Sequence, residues 1–247
     1  GDHRDLHSFP TRRSSDPGVG STSSNNYAID TQSTTATTIV ADSALKAGQT
    51  STVTISFNEA VTGLTTADFL VDNGTLSGLS SSDGGITWTA TLTPNANLTD
   101  TTNLITLDNT GVQDVAGNAG VGSTSSNNYA IDTQRPTATI VVADSALKAG
   151  QTSTVTISFS EAVTGLTADD FVVGNGSLSG LSSSNGGLTW TATLTPTAGV
   201  ESTTNLISLD GSRYTDLAGN TASGTANSGN YAIDTQRPTA TIVVADS

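Results

Sequence analysis

The sequence copies itself at a fixed interval. YAIDTQ begins at Tyr27, Tyr129 and Tyr231, 102 residues apart both times, and ADSALKAGQTSTVTISF begins at Ala41 and again at Ala143. Residues 33–134 align with 135–236 without a gap and share 71 of 102 positions. A period of this length makes each copy a domain-sized unit, so the 247 residues are not one large domain. The chain is expected to hold the tail of one repeat (17–32), two whole repeats (33–134 and 135–236) and the first strand of another (237–247), cut from a longer array. The copies differ mainly at 95–100, 109–113 and 119–127, which marks those segments as loops.

Within a repeat the pattern is that of strands. In TVTISF, Val53, Ile55 and Phe57 alternate with Thr52, Thr54 and Ser56, a period of two that sends one face to a core. ITWTATLT continues the rule, with Ile86, Trp88, Ala90 and Leu92 expected inward. Asn73-Gly74 is expected to close a two-residue hairpin, and Asp83-Gly84-Gly85 to make another turn. Strands are placed near 35–41, 51–58, 68–73, 75–80, 85–93, 103–108 and 128–132. No segment carries a sustained helical period. The fold class is therefore all-β, as tandem immunoglobulin-like β-sandwiches of about seven strands each. Trp88 and its copy Trp190 read as core residues.

Composition narrows the function. The chain has 22 Asp plus Glu against 8 Lys plus Arg, a net charge of −14, which opposes binding to nucleic acid. Only 12% of residues are charged, unlike a disordered acidic tail. No run of 18 apolar residues is present to insert into a membrane as a helix. The segment GDHRDLHSFPTRRSSD, residues 1–16, stands apart: it holds both histidines and resembles one reading frame of a sequencing adapter, so it is read as an unstructured artefact. The repeats then contain neither His nor Cys, and no Ser-His-Asp arrangement or thiol nucleophile can be built in them. A carboxylate pair for glycoside hydrolysis remains chemically open, but near-duplicate units poor in aromatic residues make a weak case for an active site. The chain reads as non-enzymatic.

The combination FNEAVTGLTTADF, TWTATLTP, DVAGN and YAIDTQ, echoed as FSEAVTGLTADDF, TWTATLTP, DLAGN and YAIDTQRP, resembles the bacterial Ig-like domains strung along giant adhesins and biofilm-associated surface proteins. The resemblance covers residues 17–247 and implies a secreted, repetitive stalk at the bacterial cell surface. The first copy departs from it at Ser33-Thr34, where the others have Arg135-Pro136 and Arg237-Pro238; a linker without Pro is expected to bend more easily.

Strand parity points to a metal. With strands alternating in direction, the loop after the second strand and the loop before the last lie at the pole where the chain enters. They carry Glu59, Asp114 and Asn118 in one copy and Glu161, Asp216 and Asn220 in the next. The entering linkers bring Asp30 and Asp132, and the linker leaving the second repeat carries Asp234. The loop after the first strand, with Asp42 and its copy Asp144, is expected at the exit pole. One junction would then gather Asp132, Glu161, Asp216, Asn220 and Asp42, hard oxygen donors suited to calcium, which takes six to eight such ligands. Asp68 and Asp170 are substitutes; Asp72, Asp83 and Asp100 are not kept in the second copy. The bland reading is that these side chains hold turns and keep linkers soluble. The expected partners are the neighbouring Ig-like repeats of the same chain. Two rival functions stand beside the stalk: a glycan- or protein-binding module using the loops at 109–113 and 119–127, and an accessory array of a secreted polysaccharide-degrading enzyme.

Overall fold

A computed structural model describes residues 25–26 and 28–244. The segment read as an adapter, residues 1–16, lies outside them, as do Tyr27 and most of the tail assigned to 17–32. The chain divides into two compact units, 1–32 and 33–247. In the first, the described residues carry no strand. The second holds both repeats.

The first repeat contributes β1 (Ala36–Val40), β2 (Ala44–Lys46), β3 (Ser51–Phe57), β4 (Val61–Thr62), β5 (Phe69–Val71), β6 (Gly74–Ser81), β7 (Thr87–Pro94), β8 (Thr99–Asn103), β9 (Ile105–Asp108), β10 (Gln113–Asp114), β11 (Ser123–Ser125) and β12 (Tyr129–Asp132). The second reproduces them 102 residues on: β13 (Ala138–Val142), β14 (Ala146–Lys148), β15 (Ser153–Phe159), β16 (Val163–Thr164), β17 (Phe171–Val173), β18 (Gly176–Ser183), β19 (Thr189–Pro196), β20 (Glu201–Asn205), β21 (Ile207–Asp210), β22 (Thr215–Asp216), β23 (Thr225–Asn227) and β24 (Tyr231–Asp234). One sheet has the order β1-β3-β7-β6. Facing it are β5-β9-β11 and β8-β12-β2, in which β8 and β9 are one strand broken at Leu104. This is the two-sheet order of an immunoglobulin-like sandwich. The first strand is shared between the sheets: β1 pairs antiparallel with β3, and β2 crosses over to pair parallel with β12.

Alternation places the core. Val53, Ile55, Phe57 and Leu92 from one sheet meet Ile105, Leu107, Tyr129 and Ile131 from the other, all buried. Trp88 is half-buried against this cluster, its Nε1 donating to Gly85 O at 3.1 Å. Ile86 differs from expectation: it is 44% exposed, because it belongs to the turn before β7. That turn carries Gly85 at φ 101°, where a Cβ would lie 2.4 Å from Val61 O. Its Asp83 accepts bonds from Thr87 N above all, then from Ser81 Oγ and Ile86 N, which hold the carboxyl down at about 2. In the copy, Asn185 accepts the corresponding bonds from Thr189 N and Ser183 Oγ, so the turn needs an oxygen and not a charge.

The expected Asn73-Gly74 hairpin is not formed. β5 pairs with β9 and β6 with β7, so these residues carry the chain from one sheet to the other. Asn73 does take a positive φ of 50°, but its side chain donates to Asn103 Oδ1 (2.8 Å) and Asp100 Oδ2 (2.9 Å). Gly74 is required by space, since a Cβ would lie 2.9 Å from Leu92 Cδ1 and 3.0 Å from Thr93 O. Asn103 in turn donates to Tyr129 O at 3.0 Å across the break between β8 and β9. Tyr129 donates its hydroxyl to Asp72 O; burial, with the charge of Asp72 adding, pushes that hydroxyl up to about 12 and keeps it a donor. Residues 237–244 repeat the start of the second copy but form no strand, and Ile242, Val243 and Val244 are exposed. Their counterpart in the second repeat, β13, is held by its antiparallel pairing with β15.

The duplicated cores differ at one instructive position. Thr38 is buried opposite Ile55 with its hydroxyl unpartnered, where the second repeat has Ile140 opposite Ile157. A buried hydroxyl without a partner costs about 1–3 kcal/mol. Thr38→Ile is therefore expected to raise the stability of the first repeat by about that amount in a thermal or urea melt. Asn205→Ala, which strips a partner from Tyr231 O and Asn175 Nδ2 in the second repeat, is expected to lower stability by about 1–3 kcal/mol in the same assay.

Candidate metal centre at the junction of the repeats

The β12 strand ends at Asp132 and the chain passes directly into the second sandwich. Three carboxylates converge there. Asp132, half-buried Glu161 and buried Asp216 each offer an oxygen within 4.8 Å of the others. Asp132 comes from the first repeat, Glu161 from the loop after β15, and Asp216 from the end of β22. Glu161 lies two residues before β16, and the antiparallel pairing of β16 with β22, which sets Val163 opposite Asp216, brings the two side chains to this pole.

The cluster is incompletely satisfied. Asp216 Oδ1 accepts from Asn220 N and its Oδ2 from Asn220 Nδ2, both at 2.8 Å. Asp132 Oδ1 accepts from Thr99 Oγ1 at 2.9 Å. Glu161 Oε1 is buried with no hydrogen-bond partner. Burial first, then the charges of Asp216 and Asp132, push the Glu161 carboxyl above its ordinary 4.5. At partly buried sites two like charges about 4 Å apart repel by about 4 kcal/mol, so a fully ionised triad is costly without a counter-ion. An ion bound here would meet only oxygen donors, as a hard cation requires.

The other expected ligands are placed differently. Asn220 adjoins the cluster, but its Oδ1 accepts from Ala47 N at 2.7 Å and its Nδ2 donates to Asp132 O at 2.9 Å, so it orients the carboxylates instead of offering its own oxygen. Asp42 and Asp144 are not brought to a junction. The strand they were expected to end continues: they sit in the crossover between β1 and β2 and between β13 and β14, where their Oδ1 atoms accept from Ala44 N (3.2 Å) and Ala146 N (3.1 Å). The exit-pole turn is at 46–49. Asp68 and Asp170 are tied to Thr65 and Thr167, whose N and Oγ1 both donate to them. Exposed Asp234 accepts from Gln236 N at 3.2 Å. Asp30 lies in the first unit and accepts from Gln32 N at 3.0 Å. Glu59 accepts from Asn58 Nδ2, and Asp114 repeats the Asp216 pattern with Asn118 N and Nδ2, chiefly the latter holding its carboxyl below the usual range.

Sequence reasoning missed the residues that seat one repeat on the next. Lys46 Nζ of the first repeat donates to Gly219 O of the second at 3.2 Å, and Arg135, which opens the second repeat, donates from Nη1 to Thr221 O of that same repeat at 2.7 Å and so holds the entering linker. The signal available was the absence of Arg135 from the first copy, which has Ser33 there. Among the described residues no helix is long and apolar enough to cross a membrane.

No curated protein sequence matches the chain. Among solved structures it is similar to FdeC, an Escherichia coli adhesin, at 14% identity over 80% of this chain and 63% of that one, with a TM-score of 0.41. It is similar to the Yersinia pseudotuberculosis adhesin InvE at 18% identity over 79% of this chain and 58% of that one (TM-score 0.33), and to the tandem Ig repeats of Dlar at 9% over 82% and 97% (TM-score 0.26). The chain thus spans less than two thirds of either adhesin chain. A sequence profile described as a bacterial Ig-like domain matches residues 30–131 and 132–233, three residues out of phase with the repeat boundaries chosen above. With most of its length in these two matches, the chain belongs to the bacterial Ig-like domain family, in two tandem copies.

Proposed function

We propose that this chain is a non-catalytic spacer from the stalk of a bacterial surface adhesin, stiffened by calcium at the junctions between repeats and serving cell adhesion or biofilm formation outside the cell. The stalk reading rests on the family and on a fold whose entry and exit lie at opposite poles, so that repeats extend and do not fold back. Strands of 6 to 8 residues span roughly 20–26 Å, and a repeat with its loops roughly 35–40 Å, so each copy adds reach.

The observation that carries the calcium part is the Asp132, Glu161 and Asp216 triad with the orphaned Glu161 Oε1. Asp132 belongs to one repeat and the other two residues to the next, so a shared ion would tie the repeats together. It would turn three repulsions into three attractions, with main-chain carbonyls and water completing the shell. At a calcium concentration about ten times the dissociation constant, binding stabilises the junction by roughly 1.4 kcal/mol. Rigidity would then follow the calcium content of the medium.

Calcium added to the metal-free chain is expected to raise the melting temperature and narrow the solution-scattering profile toward an extended rod. No change in either would remove calcium from the reading. Glu161→Gln should abolish the response, yet in chelator at pH 7 it should melt above the wild type, because it removes a charge the site holds at a cost. The pH dependence has the same sign. Glu161 binds its proton more tightly folded than unfolded, so in chelator its contribution to stability declines as pH rises above about 4.5 and through the raised folded value. Flattening of that decline in Glu161→Gln, measured by melts across pH, checks the assignment.

A further inference from the structure

We propose that the turn at Lys46–Gln49 of the first repeat and Asn220 of the second form a latch that fixes the angle between the repeats without any cation. The turn is preformed. Gln49 N donates to Lys46 O at 3.0 Å, Lys46 N donates to Gln49 Oε1 at 3.1 Å, and Gly48 at the third position has φ 80°, the signature of a type II turn. In such a turn the N–H of the second residue is left over, and here it is Ala47 N that meets Asn220 Oδ1 at 2.7 Å. Lys46 Nζ, donating to Gly219 O, adds a second contact from the same turn to the same loop.

Asn220 is suited to the receiving role because nothing in it is spare. It is 2% exposed, and its amide group spans three parts of the junction: Ala47 of the first repeat, the main-chain oxygen of Asp132 at its end, and the carboxylate of Asp216 in the second. Each bond is made to protein, so the contact needs no ion. A buried amide with its partners removed would leave unpaired groups on both sides of the junction. Asn220 is thus a positioning residue for the junction.

Both described repeats carry both halves. Lys148–Gln151 makes the same turn, with Gln151 N donating to Lys148 O at 3.0 Å and Gly150 at φ 84°, and Asn118 stands at the position of Asn220. Ala149 N, the counterpart of Ala47 N, has no partner among the described residues. The turn therefore forms before anything docks on it, and it presents its donor to the Asp-x-Ala-Gly-Asn loop of another repeat. The latch is a head-to-tail recognition element written once per copy.

The turn geometry supplies a clean test. Ala47 occupies the position of a type II turn where Pro is favoured, and the residue before it already lies in a strand, as a residue preceding Pro prefers. Ala47→Pro thus removes the donor while keeping the turn, and Ala149→Pro makes the same change where no partner is lost. The chain has no cysteine, so Ser77→Cys and Ser179→Cys place one spin label on an exposed strand of each repeat. Distances between the labels are measured in chelator by pulsed electron resonance. The wild type and Ala149→Pro are expected to give a narrow distribution, and Ala47→Pro and Asn220→Ala a broad one, with Ala47→Pro melting below Ala149→Pro because only Ala47→Pro leaves Asn220 Oδ1 unpaired. A narrow distribution in Ala47→Pro and Asn220→Ala would overturn the latch, and so would a wild type that is broad in chelator and narrows only with calcium. The latter result would leave the calcium reading standing, whereas a wild type narrow in chelator and indifferent to calcium would keep the latch and remove the ion.

Discussion

An antiparallel strand reverses the chain each time it is laid down, so the loops of a sandwich fall alternately at two poles. In this protein the first and last strands run the same way, which sends the chain in at one pole and out at the other. That single parity decides which side chains share a junction. It carries Asp132 to the exit of one repeat and Glu161 and Asp216 to the entrance of the next, although 29 and 84 residues separate them from Asp132 in sequence. The alternation within strands does complementary work: it sends Val53, Ile55 and Leu92 to the core and leaves Thr and Ser on the outer face of the sandwich.

The junction combines two kinds of polar chemistry. Around Asn220 every donor meets an acceptor, and the amide is nearly neutral in its demands. Beside it, the carboxylates of Asp132, Glu161 and Asp216 crowd one another, and Glu161 Oε1 has nothing to accept from. A satisfied amide holds geometry; an unsatisfied acid cluster stores electrostatic free energy that a counter-ion releases. The two are wired together, because the amide that grips Ala47 also orients Asp216.

Much of this was legible in the sequence. The 102-residue period gave the two repeats, the alternation in TVTISF gave buried Val53, Ile55 and Phe57, and of the five residues that parity assigned to the junction the structure gathers Asp132, Glu161, Asp216 and Asn220. What escaped has physical causes. Asn73-Gly74 was misread because a left-handed Asn serves a crossover as well as a hairpin, and pairing of β5 with β9 is decided by burial elsewhere. Asp42 was misplaced because the split of the first strand between two sheets leaves no local mark; Ala44–Lys46 is too short to show a period. β8, the TDTTN strand, has no apolar residue and is held through Asn103, whose bonds to Asn73 and Tyr129 reach across 30 and 26 residues. The role of Ala47 was invisible in principle, since what matters there is a main-chain N–H that any residue but Pro would supply.

The parallel pairing of β2 with β12 bears on how such a chain carries load. Tension along the array pulls β2 toward one pole and β12 toward the other. Their hydrogen bonds, lying side by side across the line of pull, are then sheared together, whereas a hairpin pulled at its open end parts one bond at a time. Resistance to forced unfolding is a matter of rate, governed by the barrier and not by the overall stability. A repeat of modest thermodynamic stability can for that reason outlast a brief pull on its ends, and the same pairing recurs at β14 and β24, so the two repeats share the resistance.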